Sequence, residues 1–271
     1  MSFLQAILIA VIEGITEFLP ISSTAHMIFT STIFGIENEG FVKMYQVSIQ
    51  FGAILAVVVL YWKKFFDFTK FQFYIKLAFA VIPALILGYL LDDYIDAILG
   101  KPIPIAIVLI IGGIILLFID NYFRTPEIFS EEKITIKKAI IIGFWQCLAM
   151  MPGTSRAAAS IIGGMQQKLS RETAAEFSFF LAVPTMLAVT VYSIFLKKWD
   201  FGAEKISGFK MILSDNQHLT MFFVGNIIAF IVAVIAIKFF IGMIKKYGFR
   251  IWGWYRIIAG IILLIYFSFF I

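Results

Sequence analysis

"EGITEFLPISSTAH", residues 13–26, sets two carboxylates, a proline, paired serines and a histidine inside the first apolar stretch of the chain. The 271 residues around it are 61% hydrophobic and 14% charged, with 31 phenylalanines, and the mean hydropathy is +0.96. Soluble domains hold about 45–50% apolar residues, so the composition reads as an integral membrane protein. The apolar runs are about 20 residues long, as bilayer-crossing helices require, whereas barrel strands alternate over about 10. Ionisable groups at that depth are costly and mark functional sites. Residues 13–26 therefore bear on both the fold and the chemistry.

Six stretches read as complete spans: about 44–62, 74–91, 102–119, 175–195, 219–244 and 252–271. Tyr61, Trp62, Trp252, Trp254 and Tyr255 fall where an aromatic belt belongs. Two further regions, 3–35 and 137–168, are apolar but interrupted at "FLPISSTAH" (18–26) and "MMPGTSRAAAS" (150–160). Broken helices at membrane depth survive only inside protein or against a water-filled cavity. Each half of the chain is thus an interrupted pair followed by three spans. "GITEFLPISS" aligns loosely with "GFWQCLAMMPGTSR", and "VSIQFGAILAV" (47–57) with "FSFFLAVPTMLAV" (177–189). If each pair enters and leaves on one face, each half crosses an odd number of times and the second half is inverted. The expected fold is an all-α polytopic membrane protein forming one integral domain, 1–271. It contains an inverted repeat (1–120 and 136–271), six complete spans and two re-entrant (broken) helix pairs.

Lys63, Lys64, Lys70 and Lys76 against Asp67 make the 63–76 connection cytoplasmic, and Asp92, Asp93 and Asp96 against Lys101 make 92–101 external. The first broken pair then opens outward. The second opens to the cytoplasm, beside Lys137, Lys138, Lys168 and Arg171. Lys197, Lys198, Lys205 and Lys210 on an external loop run against this orientation. The start of the chain lacks the basic n-region and A-x-A site of a cleavable signal. Cys147 alone forms no intramolecular disulfide. The net charge of +5 fits loop lysines and anionic lipid, with no basic soluble segment to bind nucleic acid.

Glu13 and Glu17 share a helix face at i,i+4. Two carboxylates this close repel, so one is protonated unless a cation joins them. That suits general acid/base work or a Mg²⁺ or Ca²⁺ site; the bland alternative is an exposed pair at a helix end. Pro20 breaks the helix and suits the first turn of the next. Ser22, Ser23 and Thr24 follow, where free N–H groups bind phosphate. His26, one turn on, can activate a serine or protonate a leaving group. The alternatives are serine N-caps and an ordinary interfacial histidine. "PGTSR" (152–156) repeats the device: Pro152 and Gly153 break the helix, Thr154 and Ser155 begin the next, and Arg156 offers a guanidinium fork for phosphate. An arginine at this depth costs about 2.5–3.5 kcal/mol and needs an anion: Glu13, Glu17 or a bound phosphate. A structural Arg–Glu pair is compatible with this. Gln50 either bridges helices or lines the cavity, and Arg256 reads as snorkelling from the last span. Together these residues describe a membrane-buried site for an anion with an apolar tail.

The stretches "EGITEFLPISSTAHM" (13–27), "VSIQFGAILAVV" (47–58), "QCLAMMPGTSR" (146–156), "GGMQQKLSRETAAEFSFFLAVP" (163–184) and "YR" (255–256) closely resemble the undecaprenyl pyrophosphate phosphatase family, also called bacitracin-resistance proteins. The resemblance spans nearly the whole chain. It implies a hydrolase of the bacterial cytoplasmic (inner) membrane that converts undecaprenyl pyrophosphate to undecaprenyl phosphate, recycling the lipid carrier for peptidoglycan. Bacitracin would compete indirectly by sequestering the substrate. The family's acidic motif falls on Glu13 and Glu17, its serine–histidine stretch on Ser22, Ser23 and His26, and its arginine motif on Ser155 and Arg156. Arg256 is the family's C-terminal arginine, and a divalent cation is implied at the acidic pair. Where the family usually reads "SRSGAT", this chain reads "SRAAAS" (155–160), losing a hydroxyl at 157 and a glycine at 158. The expected nucleophile is Ser23, with Glu17 or His26 taking its proton; His26 or an activated water are the alternatives. A polyprenyl-phosphate flippase is the rival function, since inverted broken-helix repeats also build transporters. A homodimer is a candidate assembly.

Overall fold

In lipid every backbone N–H and C=O must be paired within the protein, so apolar runs of this length fold as helices. The structure, a computed structural model, describes residues 1–99 and 101–270. Gly100, in the predicted 92–101 connection, and Ile271, at the end of the predicted 252–271 span, lie outside the described residues. The first broken pair is α1 (Phe3–Thr16) and α2 (Ser23–Ile33). There follow α3 (Gly40–Ser48) and α4 (Gln50–Leu60), which meet at Ile49 and make one span, then the short α5 (Trp62–Phe65) and the span α6 (Phe71–Leu90). The interfacial α7 (Asp92–Leu99) leads into the span α8 (Pro102–Tyr122). The second broken pair is α9 (Ile136–Cys147) and α10 (Arg156–Gln166). Then come α11 (Arg171–Val191), extended by a π-helical turn to Leu196, α12 (Gly208–Ile212), α13 (Asn216–Tyr247) and α14 (Arg250–Phe270). Among the described residues six helical stretches are long and apolar enough to cross a membrane, and the chain is an all-α polytopic membrane protein. The sequence reading missed an antiparallel hairpin, β1 (Lys198–Phe201) and β2 (Glu204–Ser207), which turns at Gly202.

Ion pairs sort the ends of the bundle. At one end the N-terminal ammonium meets Glu39 at 2.6 Å, α3 packs on β1, and Lys197 binds Asp92 and Asp96 at 3.0 and 2.8 Å. At the other, Lys64 pairs with Glu131, Lys70 with Glu132, Arg171 with Asp120 and Lys245 with Glu172, each at 2.6 Å. The α1–α2 pair leaves and returns to the first end. The α9–α10 pair leaves and returns to the second, where Glu127 N–H donates to the Lys168 carbonyl. Packing keeps its pattern when the halves are exchanged: α1 lies on α13 as α9 lies on α6, and α8 and α14 form the most extensive contact. Glycines permit these approaches. A Cβ on Gly14 would stand 2.8 Å from the Ala229 carbonyl oxygen, and one on Gly143 2.1 Å from that of Ala80. Helices without a hydrophobic drive toward each other associate through such small residues.

The aromatic-belt reading needs correction. Trp62, Trp254 and Tyr255 are exposed, as a belt requires, but Trp252 is buried and Tyr61 is half-buried beside Glu176. Helical periodicity puts Trp252 and Arg256 on one inward face and Trp254 opposite. Arg256 does not snorkel either: it is 0% exposed. Its Nε donates to the Leu109 carbonyl (3.1 Å), Nη1 to the carbonyls of Pro20 (3.0 Å) and Thr154 (2.9 Å), and Nη2 to that of Gly153 (2.7 Å). One guanidinium thereby fastens the tips of both interrupted loops to α8.

Gly112 makes room for this group; a Cβ there would lie 2.1 Å from Arg256 Nη2. Gly112→Ala is expected to cost about 1–3 kcal/mol through overpacking, read as a lower thermal midpoint in detergent. Gly242→Ala, where a Cβ meets nothing within 4 Å, should hold or raise the midpoint. Equal midpoints for the two variants would rule out the clamp as a structural constraint.

Candidate active site

Both loops obey the same local logic. In the first, α1 stops at Thr16, Pro20 supplies no N–H, and the Ile21 N–H turns back to the Leu19 carbonyl at 2.8 Å. In the second, a 3₁₀ turn at Leu148–Met150 leads to Pro152 and to Gly153, whose φ is 95°. A Cβ at Gly153 would come within 2.6 Å of the Ile105 carbonyl oxygen. Each loop ends on a serine with left-handed φ, Ser22 at 71° and Ser155 at 73°. Such backbone costs about 1–3 kcal/mol outside glycine. Each serine's hydroxyl accepts the N–H three residues on, Ala25 at 3.4 Å and Ala158 at 3.2 Å. The following helices end alike, on Gly35 (φ 66°) and Lys168 (φ 71°). Both pairs are offset by 133 positions, 155 less 22 and 168 less 35.

The hydroxyls of Ser22 and Ser155 therefore serve first as N-caps. Ser155 Oγ also donates to the Leu19 carbonyl, at 3.4 Å. Ser23, the first residue of α2, is not a cap, and its Oγ donates to Glu17 Oε2 at 2.5 Å. The other oxygen of Glu17 takes Nη2 of Arg156 at 3.0 Å, with the side chains 3% and 9% exposed. A single carboxylate thus joins the serine of one loop to the arginine of the other. Arg156 Nη1 donates to the carbonyl (2.9 Å) and hydroxyl (3.3 Å) of Ser178, and its guanidinium lies 5.7 Å from the Phe18 ring centre. Its Nε is buried and finds no acceptor. Glu13, one turn before Glu17, is 0% exposed; its carboxyl lies against that of Glu17 and meets no N–H or hydroxyl donor. Buried polar atoms left unpaired are costly. An orphan donor and an orphan carboxylate flanking one ion pair point to a ligand carrying both acceptor oxygens and positive charge.

His26 is not the partner of Ser23. Its Nδ1 sits 2.8 Å from the Ser22 carbonyl oxygen and its Nε2 2.8 Å from the Tyr255 hydroxyl. Thr24 is half-buried in the first turn of α2. Gly153 and Thr154 give their carbonyls to Arg256, which lies buried behind the loops with four of its five N–H groups engaged by backbone carbonyls. Gln50 is buried where α4 begins and takes no part in the bonds joining the loops. The departure at 157–160 is absorbed by packing. Ala157 and Ala158 are buried, and Ser160 donates to the Arg156 carbonyl (2.9 Å) and lies 2.6 Å from Ser178 Oγ. Ser178, which steadies Arg156, escaped the sequence reading; a lone hydroxyl within "EFSFFLA" was its only signal.

Two carboxylates suffice for a Mg²⁺ site when substrate phosphates complete the oxygen shell. No group of three or more His, Cys, Asp or Glu converges as a metal cage among the described residues. The unpaired oxygens of Glu13 fit a cation brought to the site with a phosphate.

Similarity to known proteins runs the length of the chain. Residues 6–262 match the family described as "Bacitracin resistance protein BacA". The "Undecaprenyl-diphosphatase" of Flavobacterium johnsoniae is 54% identical over 266 residues, covering 98% of this chain and 96% of that protein. That of Porphyromonas gingivalis strain W83 is 47% identical over 282 residues with the same coverage. That of Enterococcus faecalis is 40% identical over 277 residues, covering 97% and 96%. With the family's match covering nearly every element, both loops included, this chain belongs to the bacitracin resistance protein family BacA.

Proposed function

We propose that the protein is an undecaprenyl-diphosphatase, which hydrolyses undecaprenyl pyrophosphate to undecaprenyl phosphate and inorganic phosphate and so supports bacitracin resistance. The observation that carries the chemistry is Glu17 held between Ser23 and Arg156. Ser23 Oγ attacks the terminal phosphorus and its proton passes to Glu17. The bond to the bridging oxygen breaks, and undecaprenyl phosphate leaves. Water then attacks the phosphoserine, releasing phosphate and returning the proton to Ser23. Arg156 turns its N–H groups, including the unpaired Nε, to the phosphoryl oxygens. Glu13 and Glu17 would hold a divalent cation, whose chemistry is to neutralise phosphoryl charge. The Ser22 and Ser155 turns aim the N-termini of α2 and α10 at the headgroup.

The halves 1–120 and 136–271 are read as inverted copies meeting at these loops. The end carrying Lys64, Lys70, Arg171 and Lys245 faces the cytoplasm by the positive-inside rule. The pair bearing Glu17 and Ser23 then opens to the outer face of the bacterial cytoplasmic membrane. Lys197, which argued against this orientation from sequence, is neutralised by Asp92 and Asp96.

Phosphate release from the lipid diphosphate by purified protein in detergent, where transport has no meaning, tests the reading. Ser23→Ala is expected to lose about 10⁴-fold in kcat and Glu17→Gln about 10²–10⁴-fold. Full turnover in Ser23→Ala would remove the serine from the mechanism, and no phosphate from the wild type would leave a bare transporter. Calorimetric titration of Mg²⁺ with a non-hydrolysable diphosphonate analogue present should give one site in the wild type and none in Glu13→Gln. Equal titrations would take the cation away from Glu13.

A further inference from the structure

The proposed chemistry gives His26 no step, because both ring nitrogens are engaged elsewhere. A carbonyl only accepts, so Nδ1 carries the proton it donates to the Ser22 carbonyl. In the neutral ring Nε2 then offers a lone pair, which the Tyr255 O–H fills. The two rings lie 13° from parallel with centres 5.7 Å apart. What hangs from the far end of this chain is the strained turn. Ser22 holds its left-handed φ of 71°, a conformation that persists only where the surroundings over-determine it. Its hydroxyl caps Ala25, its carbonyl takes His26, and the next residue is Ser23 with Oγ 2.5 Å from Glu17. Tyr255 precedes Arg256, which grips the Pro20 carbonyl on the other flank of the same turn. Two successive residues of α14 therefore hold the first loop from both sides.

We propose that Tyr255 is a positioning residue of the phosphatase reaction: its hydroxyl orients His26, whose Nδ1–H pins the Ser22 carbonyl and keeps Ser23 aimed at Glu17. The proposal rests on Ser23 being the nucleophile. His26 is then a strut between α14 and the nucleophile turn rather than the base for Ser23. Removing the Tyr255 hydroxyl leaves Arg156 and Glu13 untouched, so the loss falls on the chemical step and not on headgroup binding.

Steady-state phosphate release in detergent by Tyr255→Phe, His26→Ala and the double variant tests this. Tyr255→Phe is expected to lower kcat about ten-fold, the worth of one neutral hydrogen bond, with KM changed by less than about two-fold. The double variant should be no slower than His26→Ala alone, since Tyr255 acts through that ring. The chain has 2 histidines, so ¹⁵N-histidine spectra in a His218→Gln background report His26 alone; the Nε2 resonance should move in Tyr255→Phe. Unchanged kcat, additive losses in the double variant, a KM rise at intact kcat, or an unmoved Nε2 resonance would each overturn the proposal. An inert Tyr255→Phe beside a dead Ser23→Ala sinks the positioning role alone. Full turnover in Ser23→Ala sinks the nucleophile and this proposal with it.

Discussion

A guanidinium with no exposed surface, bonded to four carbonyl oxygens from three separate stretches of chain, is the constraint on which the architecture turns. Interrupting a helix at membrane depth frees carbonyls that neither lipid nor a regular helix can satisfy. Arg256 collects those of Pro20, Gly153 and Thr154 and ties them to Leu109 of α8. Its own burial, otherwise prohibitive, is offset by the same bonds. Each partner makes the other tolerable, which is why a loop from each half of the chain can end at a common point inside the bilayer.

That meeting point has consequences for charge. Glu17 belongs to the first loop and Arg156 to the second, so neither is compensated until the loops are docked. Breaking a buried pair by removing one member costs about 3–5 kcal/mol, and the resting ion pair therefore reinforces what Arg256 assembles. It also leaves a deficit. Glu13 meets no N–H or hydroxyl donor and Arg156 Nε no acceptor, so the docked loops keep unused bonding capacity. The strained serines belong to the same economy of structure: Ser22 and Ser155 take a backbone conformation that costs energy, and each turns the start of a helix toward the junction.

Much of this was legible in the chain itself. Runs of about 20 apolar residues fix the number of spans because bilayer thickness does. Pro20 and the Pro152–Gly153 pair mark the breaks because polar residues follow each of them, whereas Pro83 and Pro184, set in apolar runs, sit inside continuous helices. That Arg156 needs an anion follows from the cost of burying it, although Glu13, Glu17 and phosphate stood equal until Glu17 was seen within 3.0 Å. Other residues misled. Arg256, four residues into the last span, looked like any snorkelling arginine, and Trp252 like a belt aromatic, because a helix end reads the same whether its face meets lipid or another helix. Ser178 carried almost no signal, since an isolated hydroxyl in an apolar helix acquires meaning only from what packs across from it.

The sequence by itself determined the class of fold, the two interruptions and the residue types available at them, because hydrophobic length and backbone sterics are local properties. Tertiary structure alone decided the partnerships: Glu17 for Ser23, Tyr255 for His26, four carbonyls for Arg256. Those bonds join residues up to 236 positions apart. Which donor reaches which acceptor over such a separation is set by how α8, α14 and the two loops pack, and no local pattern of residues encodes it.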